Sequence, residues 1–220
     1  MTISQDATLD DMRLALAPQI ALGAVFDGWN DKALVSAAEA VGIDPAVARL
    51  AFPGGAMDMI AAWVDHVDAK MAAQFADGTL QAMKIRERIR TLVWFRLEQV
   101  AGLEEALSRA LAIQAMPQNI ARAFKMGWSS ADRMWRLAGD TATDYNHYTK
   151  RAILASIYAA TLAVYINDDS EAKADTRAFL DRRIDEIMRF EKAKAQMLGG
   201  GDREHFDIAR FLGRLRYPTG

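Results

Sequence analysis

The sequence predicts an all-helical protein, and three observations carry that expectation. Apolar residues recur at helical spacing in nearly every segment, and no stretch shows the alternation of a half-buried strand. Strong helix formers dominate a chain that holds only five prolines. Short Gly, Pro and Asp signals fall between the periodic segments, where helices must stop and start.

Taken in order, the first helix starts near Thr8, where Thr8-Leu9-Asp10-Asp11 resembles a capping box with Asp in the Glu position, and runs to about Phe26 before Gly28. A second covers Asp31 to Val41 and stops at Gly42. Asp44-Pro45 supplies an N-cap followed by proline at the first helical position, opening a short third helix to about Ala51. Pro53-Gly54-Gly55 leads into a long fourth helix, Ala56 to Ala76, closed by Asp77-Gly78. Further helices are expected at Ala82–Val100, Leu103–Ala115, Pro117–Leu137, Asp144–Ile166 and Ser170–Leu198, with Ser170 as an N-cap. A compact domain over 1–198, with a head at 1–55 and a body at 56–198, then gives way to a glycine-rich linker at 199–204.

Composition narrows the function. The 220 residues are 51% hydrophobic, enough for a sizeable core, and the net charge is −2. The absence of cysteine excludes disulfides, iron–sulfur clusters and thiolate zinc sites. No apolar stretch reaches the roughly 18–20 residues that span a bilayer. The longest, Ala152 to Ile166, is interrupted by Tyr158, Thr161 and Tyr165 and flanked by charges, so it reads as a core helix apolar around most of its circumference. The N-terminus has neither a basic region nor an apolar run, which favours a bacterial cytoplasmic protein, peripheral on the inner membrane.

The stretch LVSAAEAVGIDPAVARLAFPGG resembles the DNA-reading head of TetR-type regulators, with Gly42 at the turn and Phe52 closing the recognition helix. The resemblance implies a TetR-like fold, and a ligand-responsive repressor is the alternative reading of the whole chain. The charges oppose DNA binding. Residues 1–66 hold three basic residues (Arg13, Lys32, Arg49) against nine acidic ones, a balance of −6, where a DNA reader must neutralise phosphates. The recognition segment offers Pro45, Ala46, Val47, Ala48 and Ala51, which present almost no donors to base edges; Arg49 alone aligns with a usual phosphate contact.

Catalytic signals are sparse. The histidines are His66, His147 and His205, and no Glu-x-x-His motif of a di-iron carboxylate bundle occurs. Asp144-x-x-His147 and Asp202-x-x-His205 have ligand spacing only. Gly199-Gly200-Gly201 follows a helix and lacks the strand that a phosphate loop requires. The expectation is a non-enzymatic chain without metal or cofactor.

The segment MWRLAGDTATDYNHYTKRAILASIYAAT, Met134 to Thr161, resembles the signature of the Coq-nine family of ubiquinone (coenzyme Q) biosynthesis accessory proteins. The resemblance rests on Trp135, Ala138-Gly139-Asp140, Thr143-Asp144-Tyr145-Asn146, Tyr148-Thr149, Arg151, Leu154, Ile157-Tyr158 and Thr161. It implies a TetR-like homodimer that holds an isoprenoid quinone precursor, or another lipid such as a phospholipid. It further implies presentation of that lipid to the di-iron hydroxylase acting on demethoxyubiquinone. The implied contact patch maps to Met134, Asp144, His147 and Tyr148, and Trp135, Asn146 and Arg151 are grouped with it; His147 departs from the tryptophan common before the tyrosine. Leu154, Ile157, Tyr158 and Thr161 are the expected pocket residues, with adaptable Met57, Met59, Met71, Met83, Met116 and Met126 as neighbours.

Beyond the linker, residues 205–217 form a short amphipathic helix. At about 100° per residue, Ile208, Phe211, Leu212 and Leu215 share one arc. Arg210 and Arg214 lie opposite, and Arg216 beside the apolar arc. With Phe206, these residues are expected to contact a membrane surface reversibly.

Overall fold

The computed structural model describes residues 8–141, 143 and 145–199. The helix expected at 205–217 lies outside the described residues, as do most of the linker, Asp144 and the side chain of Asn146.

The head is three helices, α1 (Leu9–Asp27), α2 (Asp31–Val41) and α3 (Pro45–Ala51). Each begins where the sequence places a cap. The Thr8 hydroxyl accepts from the Asp11 amide at 3.2 Å while the Asp11 carboxylate accepts from the Thr8 amide at 3.0 Å, so the shorter Asp still closes the box. Asn30 and Asp44 cap α2 and α3 in the same way. The head has a core of small residues: Ala17, Ala21, Ala24, Ala33, Ala37 and Ala38 are buried, so α1 and α2 approach closely. At Gly23 a Cβ would stand 3.3 Å from the Ala33 Cβ.

The body follows as α4 (Ala56–Gln74), α5 (Ile85–Glu98), α6 (Glu104–Gln114), α7 (Ile120–Leu137) and α8 (Tyr145–Tyr165). Among the described residues no strand occurs. No described helix is long and apolar enough to cross a membrane. Helix α4 is the common wall, packing on α1, α5, α6 and α7, and α7 pairs along α8. Head and body join at Trp29, whose indole N–H donates to the Ala106 carbonyl at 2.9 Å and whose ring lies 5.3 Å from that of Trp63.

Helix starts differ from expectation where single turns of tighter helix intervene, at Thr79–Ala82, Pro117–Asn119 and Glu171–Lys173. The last case has a visible cause. Ala172 and Lys173 adopt φ of 50° and 56°, so the chain kinks and α9 (Ala174–Gly199) begins four residues after Ser170. The kink is held by buried Asp168, which accepts from Ser170 and from the Thr176 amide and hydroxyl. Burial alone would raise the Asp168 pKa, but these hydrogen bonds outweigh it and hold the carboxyl well below the usual range. The chain divides into two compact units, 1–181 and 182–220; of the second, the described part is the remainder of α9.

One expectation about α8 fails. It is not enclosed around most of its circumference: Ala152, Ser156, Ala159, Ala160 and Ala163 form an exposed face of small side chains. Hydropathy read alanine as core-forming, whereas its small side chain loses little by facing solvent.

Candidate functional site

Two features of the body stand out, an apolar cavity and the corner that joins α7 to α8. The cavity has a volume of about 450 Å³ and lies among α4, α5, α6, α7 and α8. Ile60, Trp63, Val64 and Val67 of α4 form one wall, Leu107, Ala110 and Leu111 of α6 another, and Ala155, Tyr158, Ala159 and Leu162 of α8 a third. Ile120, Ala123, Phe124, Met126 and Gly127 of α7 complete it. The lining is overwhelmingly apolar, and the volume falls in the range of about 300–1,000 Å³ typical of small-molecule sites.

Of the pocket residues expected from sequence, Tyr158 lines the cavity. Leu154, Ile157 and Thr161 are buried on another face of α8, and the Thr161 hydroxyl donates to the Ile157 carbonyl at 2.7 Å. Among the methionines, Met126 lines the cavity, whereas Met57, Met59 and Met71 are ordinary core.

The cavity wall also carries a polar cluster that no motif announces. Arg96 of α5 is 2% exposed and ion-paired with equally buried Asp68 of α4. Ser130 of α7 joins them, accepting from Arg96 at 3.2 Å and donating to Asp68 at 3.1 Å. Arg133 reaches the same carboxylate at 2.8 Å and Asp65 at 3.0 Å. The Arg96 guanidinium carbon stands 4.9 Å from the centre of the Tyr158 ring.

The α7–α8 corner is built around Arg151, also 2% exposed. Its Nε donates to Asp132 at 2.6 Å, and its Nη1 donates to Asp140 at 2.9 Å and to the His147 carbonyl at 3.1 Å. Lys150 adds a 2.6 Å bond to Asp140 and lies over the Trp135 ring, whose N–H donates back to the Lys150 carbonyl at 2.9 Å. Burial opposes ionisation of Asp140, but the two cations prevail and hold its pKa below the ordinary carboxylate value. Arg151 shifts the opposite way: burial lowers its pKa, and the bonds from Asp132 and Asp140 raise it further than burial takes away. Gly139 turns the chain with φ of 89°, and Arg88 ties the corner down through the Ala138 carbonyl at 2.7 Å.

The expected patch residues therefore occupy different depths. Met134 is fully buried and Arg151 lies beneath the surface, Trp135 and His147 are half-buried, and Tyr148 is 62% exposed. Tyr148 belongs to a row of rings in which Phe124 and Trp128 are 6.2 Å apart and Trp128 and Tyr148 6.1 Å apart, with His147 edge-on to Tyr148 at 5.1 Å. The four-residue step from Phe124 to Trp128 is the signal that would have extended the patch along α7. Among the described residues, no group of three or more His, Asp or Glu side chains could hold a metal ion.

Residues 120–191, which include both the corner and half the cavity wall, match the family model described as COQ9. The chain is 32% identical over 182 residues to the mitochondrial ubiquinone biosynthesis protein COQ9 of Rattus norvegicus, covering 80% of this chain and 58% of that protein. The chain belongs to the COQ9 family. The Homo sapiens COQ9 protein is 30% identical over the same share of this chain, and that of Drosophila melanogaster 27% over 204 residues, covering 89% of this chain and 61% of that protein. This COQ9-family chain thus spans about three fifths of the length of the curated relatives it matches. In fold it is similar to a TetR transcriptional regulator from Nitrosomonas europaea, with a TM-score of 0.62, 21% identity, and coverage of 79% of this chain and 95% of that one. The all-helical, TetR-like architecture expected from sequence is the one found.

The comparisons correct one expectation. A bacterial cytoplasmic location does not stand, because the relatives are named as mitochondrial proteins of eukaryotes. An opening segment without a targeting pattern carried no information about location.

Proposed function

We propose that this chain is a non-catalytic, lipid-binding accessory protein of ubiquinone biosynthesis. It holds an isoprenoid quinone precursor in the cavity among α4–α8 and presents it to the di-iron hydroxylase of the pathway. The observation that carries the reading is the cavity itself, apolar on nearly every side and of small-molecule size. The relatives' printed names supply the pathway. The driving force is solvation: an apolar chain exchanges the bilayer for an apolar pocket of equal comfort, and the protein then carries it through water.

In this reading the ring row ending at Tyr148 is the surface met by the hydroxylase, since exposed aromatics flanked by charge make effective interface anchors. Met134 and Arg151 support that surface from below. The segment at 205–217 attaches the protein to the membrane, and the exposed alanine face of α8 offers a flat surface to a second copy.

The repressor alternative loses its last donors in the folded head. Arg49 is held by Asp31 through two bonds of 2.7 Å, Lys32 by Asp27 at 2.5 Å, and Arg13 by Asp10 at 3.2 Å. Each cation of the head already has an anion, which leaves little for phosphate.

Mass spectrometry of lipids retained through native purification tests the proposal. The expected outcome is an isoprenoid quinone precursor or phospholipid at near-stoichiometric occupancy; protein with no lipid above background refutes it.

A further inference from the structure

Resting on the reading of the cavity as a lipid site, we infer that Arg96 selects the ligand's head. Its Nε–H donates a hydrogen bond to an uncharged oxygen acceptor, such as a quinone carbonyl, on an otherwise apolar molecule.

The first observation is an unpaired donor in an apolar wall. Arg96 lines the cavity and is 2% exposed. Its Nη1 is paired with Asp68 and its Nη2 with Ser130, but its Nε has no partner among the described residues. Buried N–H groups are nearly always satisfied, and one left open beside a cavity asks for an acceptor that the cavity's occupant can supply. The guanidinium is fixed from behind by the Tyr158 ring, so its donor direction is set before a ligand arrives.

The second observation concerns charge. The cluster is already neutral: Arg96 and Arg133 face Asp68 and Asp65. A carboxylate or phosphate head entering the cavity would arrive uncompensated and would have to shed its water in an apolar chamber, which costs far more than one hydrogen bond returns. A neutral carbonyl meets the open donor at little desolvation cost. The wall therefore reads oxygen but rejects negative charge, which separates a quinone from a fatty acid of the same length.

Three probes of matched shape test this on the full chain: decyl-p-benzoquinone, decylbenzene and p-decylbenzoate, titrated by calorimetry. Wild-type protein should bind the quinone roughly tenfold more tightly than decylbenzene, the scale of one hydrogen bond to a charged donor. The benzoate should be the weakest of the three. Arg96→Lys keeps the charge beside Asp68 and lacks the Nε–H; it should bind decylbenzene as before and lose the quinone preference. A preference that survives Arg96→Lys overturns the inference and leaves the cavity reading intact, whereas failure of wild-type protein to bind either uncharged probe overturns both. Benzoate binding as tight as the quinone overturns the selection against charge. Should Arg96→Lys not fold, the wild-type Arg96 Nε–H proton resonance decides: it should move downfield with the quinone and not with decylbenzene, and an unmoved resonance refutes the assignment.

Discussion

Replacing Arg151 by methionine would keep the aliphatic bulk and remove three hydrogen bonds at once, leaving Asp132 and Asp140 to share Lys150 and Arg136. Breaking a buried pair from one side is expensive, and because Asp132 keeps some solvent the expected loss is about 3 kcal/mol in urea denaturation. The same cluster gives an acid signature. The Asp140 carboxyl is depressed in the folded state, so its contribution is complete above the ordinary Asp value near about 4 and disappears as pH falls through the lower folded value. Asp140→Asn should therefore be less stable than wild type at neutral pH, with the gap closing as the solution is acidified below that range; a gap independent of pH would show that the ion pairs are not its source. Arg151 shows what sequence could not display. Its place in the motif was legible, but its depth was not, because burial of an arginine depends on Asp132, at a distance of 19 positions, folding back across the corner.

At the scale of elements, local chemistry made most boundaries readable. Thr8, Asn30 and Asp44 cap helices through their own neighbours within three residues, and Gly42 and Gly139 turn the chain with positive φ. Gly139→Ala should cost about 1–2 kcal/mol from the left-handed backbone alone, measured as a lowered urea midpoint. A Cβ there would also stand 3.1 Å from the Arg88 guanidinium, which holds the corner. Where boundaries were missed, the cause was tertiary. The kink at Ala172–Lys173 exists because Asp168 reaches forward to Thr176 and Lys173 turns back to the Asp168 carbonyl at 2.7 Å. The cavity was equally invisible: Trp63, Leu107, Phe124 and Tyr158 lie on four helices, and periodicity records that each faces inward but not that space remains between them.

For the molecule as a whole, a TetR-like frame is present without a surface suited to DNA. Shape came through in the spacing of caps and apolar stripes, and the −6 balance of residues 1–66 was legible as charge before any coordinate. What the whole chain does at a membrane depends on residues 205–217, whose four apolar side chains would each contribute up to about 1.5–3 kcal/mol if fully buried. Liposome flotation of the chain ended after Leu198 should lose most of the membrane-bound fraction seen with the full chain; equal flotation would remove the anchor from the proposal. The joint between head and body has an optical consequence. Trp29 and Trp63 are close enough to exchange excitation, and Trp63 is also part of the cavity wall. Any occupant that absorbs near the indole emission would darken both rings together, so the protein carries its own light meter for whether the chamber is filled.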